Sequence, residues 1–520
     1  MIDAPERLNT SNALPLPAFE RNIVSVAKGG GIIIAGKIFL DASRFLIAVL
    51  LARLLGAEQY GLYNLAISAG SLATGLALLG LHSALVRFVA ILASRRDEAG
   101  LWGALQVGLG ISFLLSVLTS TGLYALSFPI AEEVFHEPKL APLLQLNSLF
   151  IPFFVLGDVL AGANRGFKKM QYPVVARFIA QPAIRLILVG VLAIAGLNAA
   201  QAVVIYGLAD FAAMLMLLYF LHKQFSLRRP LRAARRDVRG ILSYSVPDWL
   251  ADLMVTFRSN VQTLLLGTFN TVTGVGIFSV ASHLQEIGHV FYTAINTSAR
   301  PFIAELHDRG DREQLGRIYQ TTTRWGFTMN LPVFLVMVLF PTPILSIFGE
   351  SFTDGATALA ILAWANLANV GTGMGGIILE MTGYTRLKLV NSIIRLLLSV
   401  GLSVLLIPGW GIVGAAAAAL ASEGAINLIR LLEVFVLFRL LPYNRGFVKP
   451  IAAGLVALAA AGVMGQWLPA AASSLLYTAI HALIVLAVYV GTIVLLGLSP
   501  EERTVLVRLR RRAGALLPSR

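Results

Sequence analysis

Fourteen apolar runs, broken only by short polar loops, occupy most of this chain. They fall near residues 30–53, 62–88, 101–126, 143–162, 173–195, 200–221, 241–266, 274–300, 317–340, 356–380, 387–407, 411–438, 450–468 and 474–497. About 20 such residues cross the hydrocarbon core of a bilayer as a helix. Backbone groups find no water there, so a spanning segment must be a helix or part of a closed barrel. Runs of this length predict helices. Only 13% of the residues are charged and 57% are hydrophobic, where a soluble chain carries about 25% charge to wet its surface. A sizeable soluble domain is therefore excluded. The expected fold class is an all-α integral membrane protein with about 14 transmembrane helices.

The formal net charge is +14, from 41 Lys+Arg against 27 Asp+Glu. Such an excess suits nucleic acid or a membrane surface, and placement decides between them. With the N-terminus inside, the inside segments hold 31 of the 41 cations and the outside loops hold only Arg53 and Lys139. Lysine and arginine concentrate in cytoplasmic loops, so the alternation predicts a multi-pass topology with both termini cytoplasmic. The most basic stretch, Lys223 to Arg239, reads as a linker near anionic headgroups, where each charge is worth about 1 kcal/mol. The tail carrying Arg508, Arg510, Arg511 and Arg512 reads the same way, and nucleic acid is not an expected partner. The absence of cysteine excludes disulfides and thiolate metal sites. The first 28 residues, with Pro5, Pro15 and Pro17, lack a signal-peptide apolar core, which predicts an uncleaved first span.

The chain repeats itself. Gly61-Leu62-Tyr63-Asn64-Leu65-Ala66 matches Gly276-Ile277-Phe278-Ser279-Val280-Ala281, at an offset of 215, and Leu55-Gly56 matches Leu266-Gly267 at 211. Weaker echoes join Phe135 and Leu140-Ala141 to Phe348 and Ala356, and Gly166-Phe167 to Gly383-Tyr384. Six spans separate the copies, so both halves face the same way, the parallel-repeat arrangement of many transporters. The expected organisation is a cytoplasmic tail (1–28), an N-lobe of six spans (29–222), a basic linker (223–240), a C-lobe of six spans (241–440), two appended spans (450–497) and a basic cytoplasmic tail (498–520). The repeat also superposes Lys37 on Asp248, Asp41 on Asp252, Ser68 on His283 and Ser71 on Glu286. The first, second, seventh and eighth spans are the expected walls of a central cavity.

Eight cations remain inside the spans. An ionised side chain costs several kcal/mol in hydrocarbon, so such groups face a cavity or a partner. Lys37, Asp41 and Arg44 share one face of the first span, either as a self-neutralising cluster or as a site of net positive charge. Arg177, Gln181 and Arg185 form a stripe in a span that holds no acid. A guanidinium fork suits phosphate oxygens, which makes Arg185 a candidate ligand for an anion. Asp248 and Asp252 lie one turn apart in the seventh span, with Arg258 deeper. Two close carboxylates repel, which raises one pKa and suits a proton-coupling site; pairing with nearby cations is the alternative. The eighth span carries Ser282, Glu286, His289, Thr293, Asn296 and Arg300, a wall for sugar hydroxyls or a protonatable pair. Its His283-Leu-Gln-Glu286-Ile-Gly-His289 lacks the spacing of a zinc motif. Gly371-Thr-Gly373-Met-Gly375-Gly376 formally matches a dinucleotide fingerprint, but no strand precedes it, and close packing or a flexible point is the better reading. No metal or other cofactor is expected. Arg324, Arg395, Glu423 and Arg430 are further intramembrane charges that no sequence pattern places.

The stretch Leu50-Leu-Ala-Arg-Leu-Leu-Gly56, Tyr60-Gly-Leu-Tyr-Asn-Leu-Ala66 and Gly80-Leu-His-Ser-Ala-Leu-Val-Arg87-Phe-Val-Ala90, with Phe348-Gly-Glu350 later, resembles the polysaccharide flippases of the Wzx type. That family belongs to the MOP exporter superfamily, with the MATE multidrug exporters and the lipid II flippase MurJ. The resemblance implies two six-helix lobes, alternating access, and an undecaprenyl-pyrophosphate-linked oligosaccharide moved to the outer leaflet of a bacterial inner membrane. Lys37, Arg44, Arg185, Arg258, Glu286, His289 and Asn296 are then the candidate cargo contacts, and Asp41, Asp248 and Asp252 the candidate coupling groups. Implied partners are the lipid-linked cargo, membrane lipids and polysaccharide-synthesis enzymes, with the protein itself a monomer and not an enzyme. In the MurJ branch two extra helices help form a groove for the lipid tail, a role that would fall to the last two spans. Two other functions compete. A MATE-like exporter of cationic drugs would use an acidic cavity, for which Asp248 and Asp252 are the best support. A membrane glycosyltransferase or polymerase would need a large outer loop, and the longest here is about 17 residues.

Overall fold

The computed structural model describes residues 16–227, 230–467 and 475–497. Most of the N-terminal tail and all of residues 498–520 lie outside the described residues, as do Arg228 and Arg229 of the basic linker. Among the described residues there is no strand. The principal helices are α1 (Leu16–Leu78), α2 (Leu81–Ser94), α3 (Glu98–Ala125), α4 (Leu140–Gly166), α5 (Gln171–Ala193), α6 (Ala199–Gln224), α7 (Val238–Phe269), α8 (Val272–Asp308), α9 (Arg312–Leu339), α10 (Ala356–Thr372), α11 (Gly375–Met381), α12 (Thr385–Phe438), α13 (Val448–Trp467) and α14 (Leu475–Leu495).

Helices and predicted spans do not correspond one to one. The first two predicted runs share α1, which breaks at Gly56, where φ is 71°. Runs eleven and twelve share α12, which breaks at Gly411, where φ is 54°. A positive φ is open to glycine without the Cβ clash other residues suffer. Among the described residues seven helices are long and apolar enough to cross a membrane by themselves, or nine if each bent pair counts as one span. The helices α7, α8 and α9 have the length but carry charge. Asp248, Asp252 and Arg258 sit on α7, Glu286 and Arg300 on α8, and Arg324 on α9.

The chain divides into two compact units. Unit 1 comprises residues 1–47, 70–127 and 142–256. Its core joins Leu81 and Leu85 of α2, Leu105 of α3, Val159 of α4 and Leu217 and Leu221 of α6. Unit 2 comprises residues 48–69, 128–141 and 257–520, with a core around Ile303, Leu315, Tyr319, Ile378, Leu379 and Val434. The appended helices α13 and α14 belong to unit 2 and pack on each other and on α9. Tyr489 Oη donates to the Thr328 carbonyl at 3.0 Å, and Gly454 faces Leu331. Arg53 and Lys139, the two cations expected in outside loops, are both engaged in unit 2. Arg53 Nε donates to the Ile347 carbonyl at 2.6 Å. Lys139 Nζ meets Glu58 Oε1 at 2.7 Å, which holds its ammonium above the ordinary lysine range.

Inside unit 2 the repeat becomes a contact. A Cβ on Gly61 would overlap the carbonyl of Val272 and lie 3.0 Å from the Gly276 nitrogen. A Cβ on Gly276 would overlap the carbonyl of Ala57 and lie 3.0 Å from the Gly61 nitrogen. Both pairs, 57 with 272 and 61 with 276, carry the repeat's offset of 215. Two helices therefore meet backbone to backbone about a local two-fold, through small residues at the closest point. In an ordinary helix Gly→Ala is favourable by about 1 kcal/mol. Here the added methyl displaces the partner backbone, and overpacking of this kind costs about 1–3 kcal/mol. Gly61→Ala and Gly276→Ala are each expected to lower the thermal midpoint of the detergent-purified protein. Gly110→Ala on α3, where a Cβ meets open space, should raise it or leave it unchanged. The double variant should lose less than the sum, because both methyls act on one contact. A raised midpoint for Gly61→Ala would mean that the helices do not approach this closely.

Candidate functional site

In unit 1, α5 holds, after its first three residues, a π-helical stretch, Val174–Ala180, that carries Arg177. Two turns later comes Arg185. Arg177 Nη2 lies 2.8 Å from Asp158 Oδ1 of α4, and its Nη1 lies 2.5 Å from Asp210 Oδ1 of α6. Arg185 Nη2 lies 2.5 Å from Asp210 Oδ2, and its guanidinium stacks over the Tyr206 ring at 3.9 Å. Two arginines and two aspartates thus form one neutral group, with the Asp210 side chain only 5% exposed. This corrects the expectation that Arg177 and Arg185 stand without an acid. The acids lie on the neighbouring helices in sequence, not on α5 itself. The loops on either side of α5 are short, which places α4 and α6 beside it, so a lone aspartate in each was a readable signal.

Elsewhere in unit 1, Lys37 Nζ meets Asp41 Oδ2 at 3.1 Å. Arg44 is exposed, forms no ion pair among the described residues, and lies within electrostatic reach of Tyr206. Asp252 Oδ2 is 3.3 Å from His82 Nε2. Asp248 acts electrostatically on Asp252, and one Asp248 oxygen is buried without a hydrogen-bond partner among the described residues. Beside them Trp249 Nε1 donates to the Gly75 carbonyl at 2.9 Å. The sequence alternative for the two carboxylates is pairing with nearby cations. His82 is the group that meets Asp252; it lies in the Gly80–Ala90 stretch that carries the family resemblance, which gave it no pairing role.

Unit 2 holds a second polar cluster. On α8, Glu286 is exposed, His289 is half-buried and Asn296 is buried. The His289 and Tyr292 rings meet edge to face at 6.0 Å. Tyr292 Oη donates to the Gly373 carbonyl at 2.8 Å, and Tyr319 Oη donates to the Thr372 carbonyl at 3.0 Å. Those carbonyls lie where α10 and α11 break by 46°, and the hydroxyls satisfy backbone groups that the break leaves without helical partners. The glycine-rich stretch Gly371–Gly376 is this break. Arg395 pairs with Glu423 across the two arms of α12. Arg258 lies within electrostatic reach of Arg395, Glu423 and Arg430, and His289 within reach of Glu423, Arg395, Glu286 and Arg258. A cavity of about 340 Å³ on α12 is lined by Leu387, Ile429, Leu432, Glu433, Val436 and Leu437.

The eight intramembrane cations therefore sort into two kinds. Lys37, Arg177, Arg185 and Arg395 are paired with carboxylates, and Arg324 is buried and has a partner. Arg44, Arg258 and Arg430 form no ion pair among the described residues. Removing one partner from a buried pair leaves a bare charge and costs about 3–5 kcal/mol. Asp210→Asn should therefore destabilise the protein by about that amount, read as a large fall in thermal midpoint. Adding Arg185→Met to Asp210→Asn should recover part of the loss. No recovery would show that Arg185 does not depend on Asp210.

Among the described residues the chain is helical, with glycine-broken helices and ion-paired arginines inside apolar spans, the architecture of a multi-pass membrane protein. Its fold is that of the MOP superfamily. The lipid II flippase MurJ in an inward closed conformation superposes with a TM-score of 0.72, over 88% of this chain and 97% of that one, at 13% identity. An inward-facing multidrug MATE transporter gives 0.66, over 76% and 94%, at 16% identity. The profile of the polysaccharide biosynthesis protein family matches residues 26–307, more than half of the chain, and the chain belongs to that family. The MatE profile matches residues 247–405. Among relatives, the stage V sporulation protein B of Bacillus subtilis is 23% identical over 446 residues, 80% of this chain and 84% of that protein. A protein of Haloferax volcanii named "Probable low-salt glycan biosynthesis flippase" is 25% identical over 205 residues, and the match spans 39% of this chain and 43% of that relative.

Proposed function

We propose that this protein is a flippase that carries a lipid-linked oligosaccharide, joined through a pyrophosphate, across the plasma membrane for surface polysaccharide synthesis. The observation that carries the reading is the family match over residues 26–307. The intramembrane cations supply the chemistry. A pyrophosphate cannot enter hydrocarbon unaided, and guanidinium groups lower that barrier by charge pairing. Transport proceeds by alternating access of the two repeats, 29–222 and 241–440, with both termini cytoplasmic as the loop charges require. Lys37, Arg44, Arg185, Arg258, Glu286, His289 and Asn296 are the proposed cargo contacts, and Asp41, Asp248 and Asp252 the proposed coupling groups. Lys37 and Arg185 reach cargo only by sharing themselves with Asp41 and Asp210, whereas Arg44 and Arg258 are the readier donors. The appended helices α13 and α14 are proposed to guide the lipid tail.

The test is a proteoliposome assay with a fluorescent polyprenyl-diphosphate oligosaccharide, read by accessibility of the sugar to an impermeant reagent. Purified protein should raise the accessible fraction well above that of protein-free vesicles. The MatE match over residues 247–405 favours a second reading, export of a cationic solute. Efflux of a cationic dye without movement of the lipid-linked sugar would decide for that reading.

A further inference from the structure

Within unit 1 the start of α7 meets the end of α1 and the start of α2, so that a span of the second proposed repeat touches a span of the first. The backbones come close. A Cβ on Gly80, whose φ is 67°, would overlap the Ser245 carbonyl and lie 3.0 Å from the Trp249 nitrogen. Trp249 Nε1 donates to the Gly75 carbonyl at 2.9 Å, and His82 Nε2 stands 3.3 Å from Asp252 Oδ2. Ser245, Asp248 and Asp252 fall at i, i+3 and i+7, on one stripe of α7. Three polar atoms of these residues are buried without a hydrogen-bond partner among the described residues: Ser245 Oγ, Asp248 Oδ2 and His82 Nδ1. Buried polar groups left unmet weaken a contact, so this one depends on the pair between His82 and Asp252.

Few other charges face that pair. On α7, Asp248 acts on Asp252. On α2, Arg87 stacks over the Tyr244 ring at 4.7 Å. Helix α4 packs behind the His82 backbone at Gly162, and its Asp158 is held by Arg177, with Arg165 in electrostatic reach of both. Helix α3 carries no charge past Glu98, and α1 none between Glu58 and its end. Two carboxylates one turn apart therefore face one imidazole. With a proton on that ring, the cation holds Asp252 and offsets its repulsion from Asp248. Without the proton, two like charges remain at a contact already short of hydrogen bonds. An imidazole exchanges its proton between about pH 5 and 8. We propose that His82 and Asp252 form a proton-controlled latch between the two repeats, closed while the imidazole is charged and released when it is neutral. This rests on the alternating-access reading above, and it gives His82 control of the change of conformation. The sign follows: rising pH opens the latch, and a permanent cation at position 82 keeps it closed.

The chain has no cysteine, so Ser245→Cys places a single thiol in the closed contact, where Ser245 is fully buried. Ser226→Cys, on the exposed linker, reports how pH alone changes thiol reactivity. The full-length protein in detergent is labelled with a charged maleimide, and the rate at position 245 is divided by that at position 226. The ratio should rise roughly tenfold or more between about pH 6 and about pH 8.5, since the charged fraction of an ordinary imidazole falls by more than that over the range. With His82→Gln added, labelling should be fast at both pH values. With His82→Lys, which keeps the charge, it should be slow at both. Asp252→Asn serves where His82→Gln does not fold, and should also label fast at both. A ratio indifferent to pH in the otherwise native protein would overturn the latch, as would a pH dependence that survives in His82→Gln. If proteoliposomes move the lipid-linked sugar while the ratio ignores pH, the latch fails and the flippase reading stands. If the ratio follows pH as expected and no sugar is moved, the latch stands and the flippase reading fails.

Discussion

A charge inside a bilayer has to be answered by another charge, by water or by cargo, because hydrocarbon offers it nothing. The arrangement of the described helices follows from that requirement. Asp210 holds both Arg177 and Arg185, so α5 is tied to α6, and Asp158 ties it to α4. Glu423 and Arg395 tie the two arms of α12 together. Each pair offsets part of its own desolvation, and each makes its helices interdependent. A buried pair of this kind adds little net stability compared with apolar packing, but losing one member is costly. These pairs therefore specify which helices are neighbours more than they strengthen the bundle.

Charges that stay unanswered mean something different. Arg44, Arg258 and Arg430 have no carboxylate at bonding distance among the described residues. Such a cation is costly at rest and useful only if an anion arrives. That contrast separates structural arginines from candidate functional ones more sharply than depth in the membrane does. Arg185 has a carboxylate opposite it and Arg258 has none at bonding distance among the described residues.

Much of the fold was legible because its determinants are local or periodic. A run of about 20 apolar residues specifies a spanning helix from its own composition. The repeat was legible too, since Gly61 and Gly276 stand in matching hexapeptides. The helix breaks at Gly56, Gly373 and Gly411 coincide with glycines that sequence reading treated as boundaries or flexible points. Helix-by-helix counting of charge was less reliable. It left Arg177 and Arg185 unpaired because it looked along one helix at a time. It passed over His82, one histidine inside the Gly80–Ala90 stretch, although His82 meets Asp252.

The sequence alone determined that this is a multi-helix membrane protein of the polysaccharide biosynthesis family, and it supplied the matching hexapeptides at an offset of 215. Those properties depend on composition, period and offset, which are one-dimensional. Only the tertiary structure decided that Gly61 and Gly276 meet, that Asp158 and Asp210 neutralise the arginines of α5, and that Glu423 stands among three guanidiniums. The reason is physical. Coulomb attraction and steric contact act through space over a few ångströms, and these contacts join residues up to 219 positions apart along the chain.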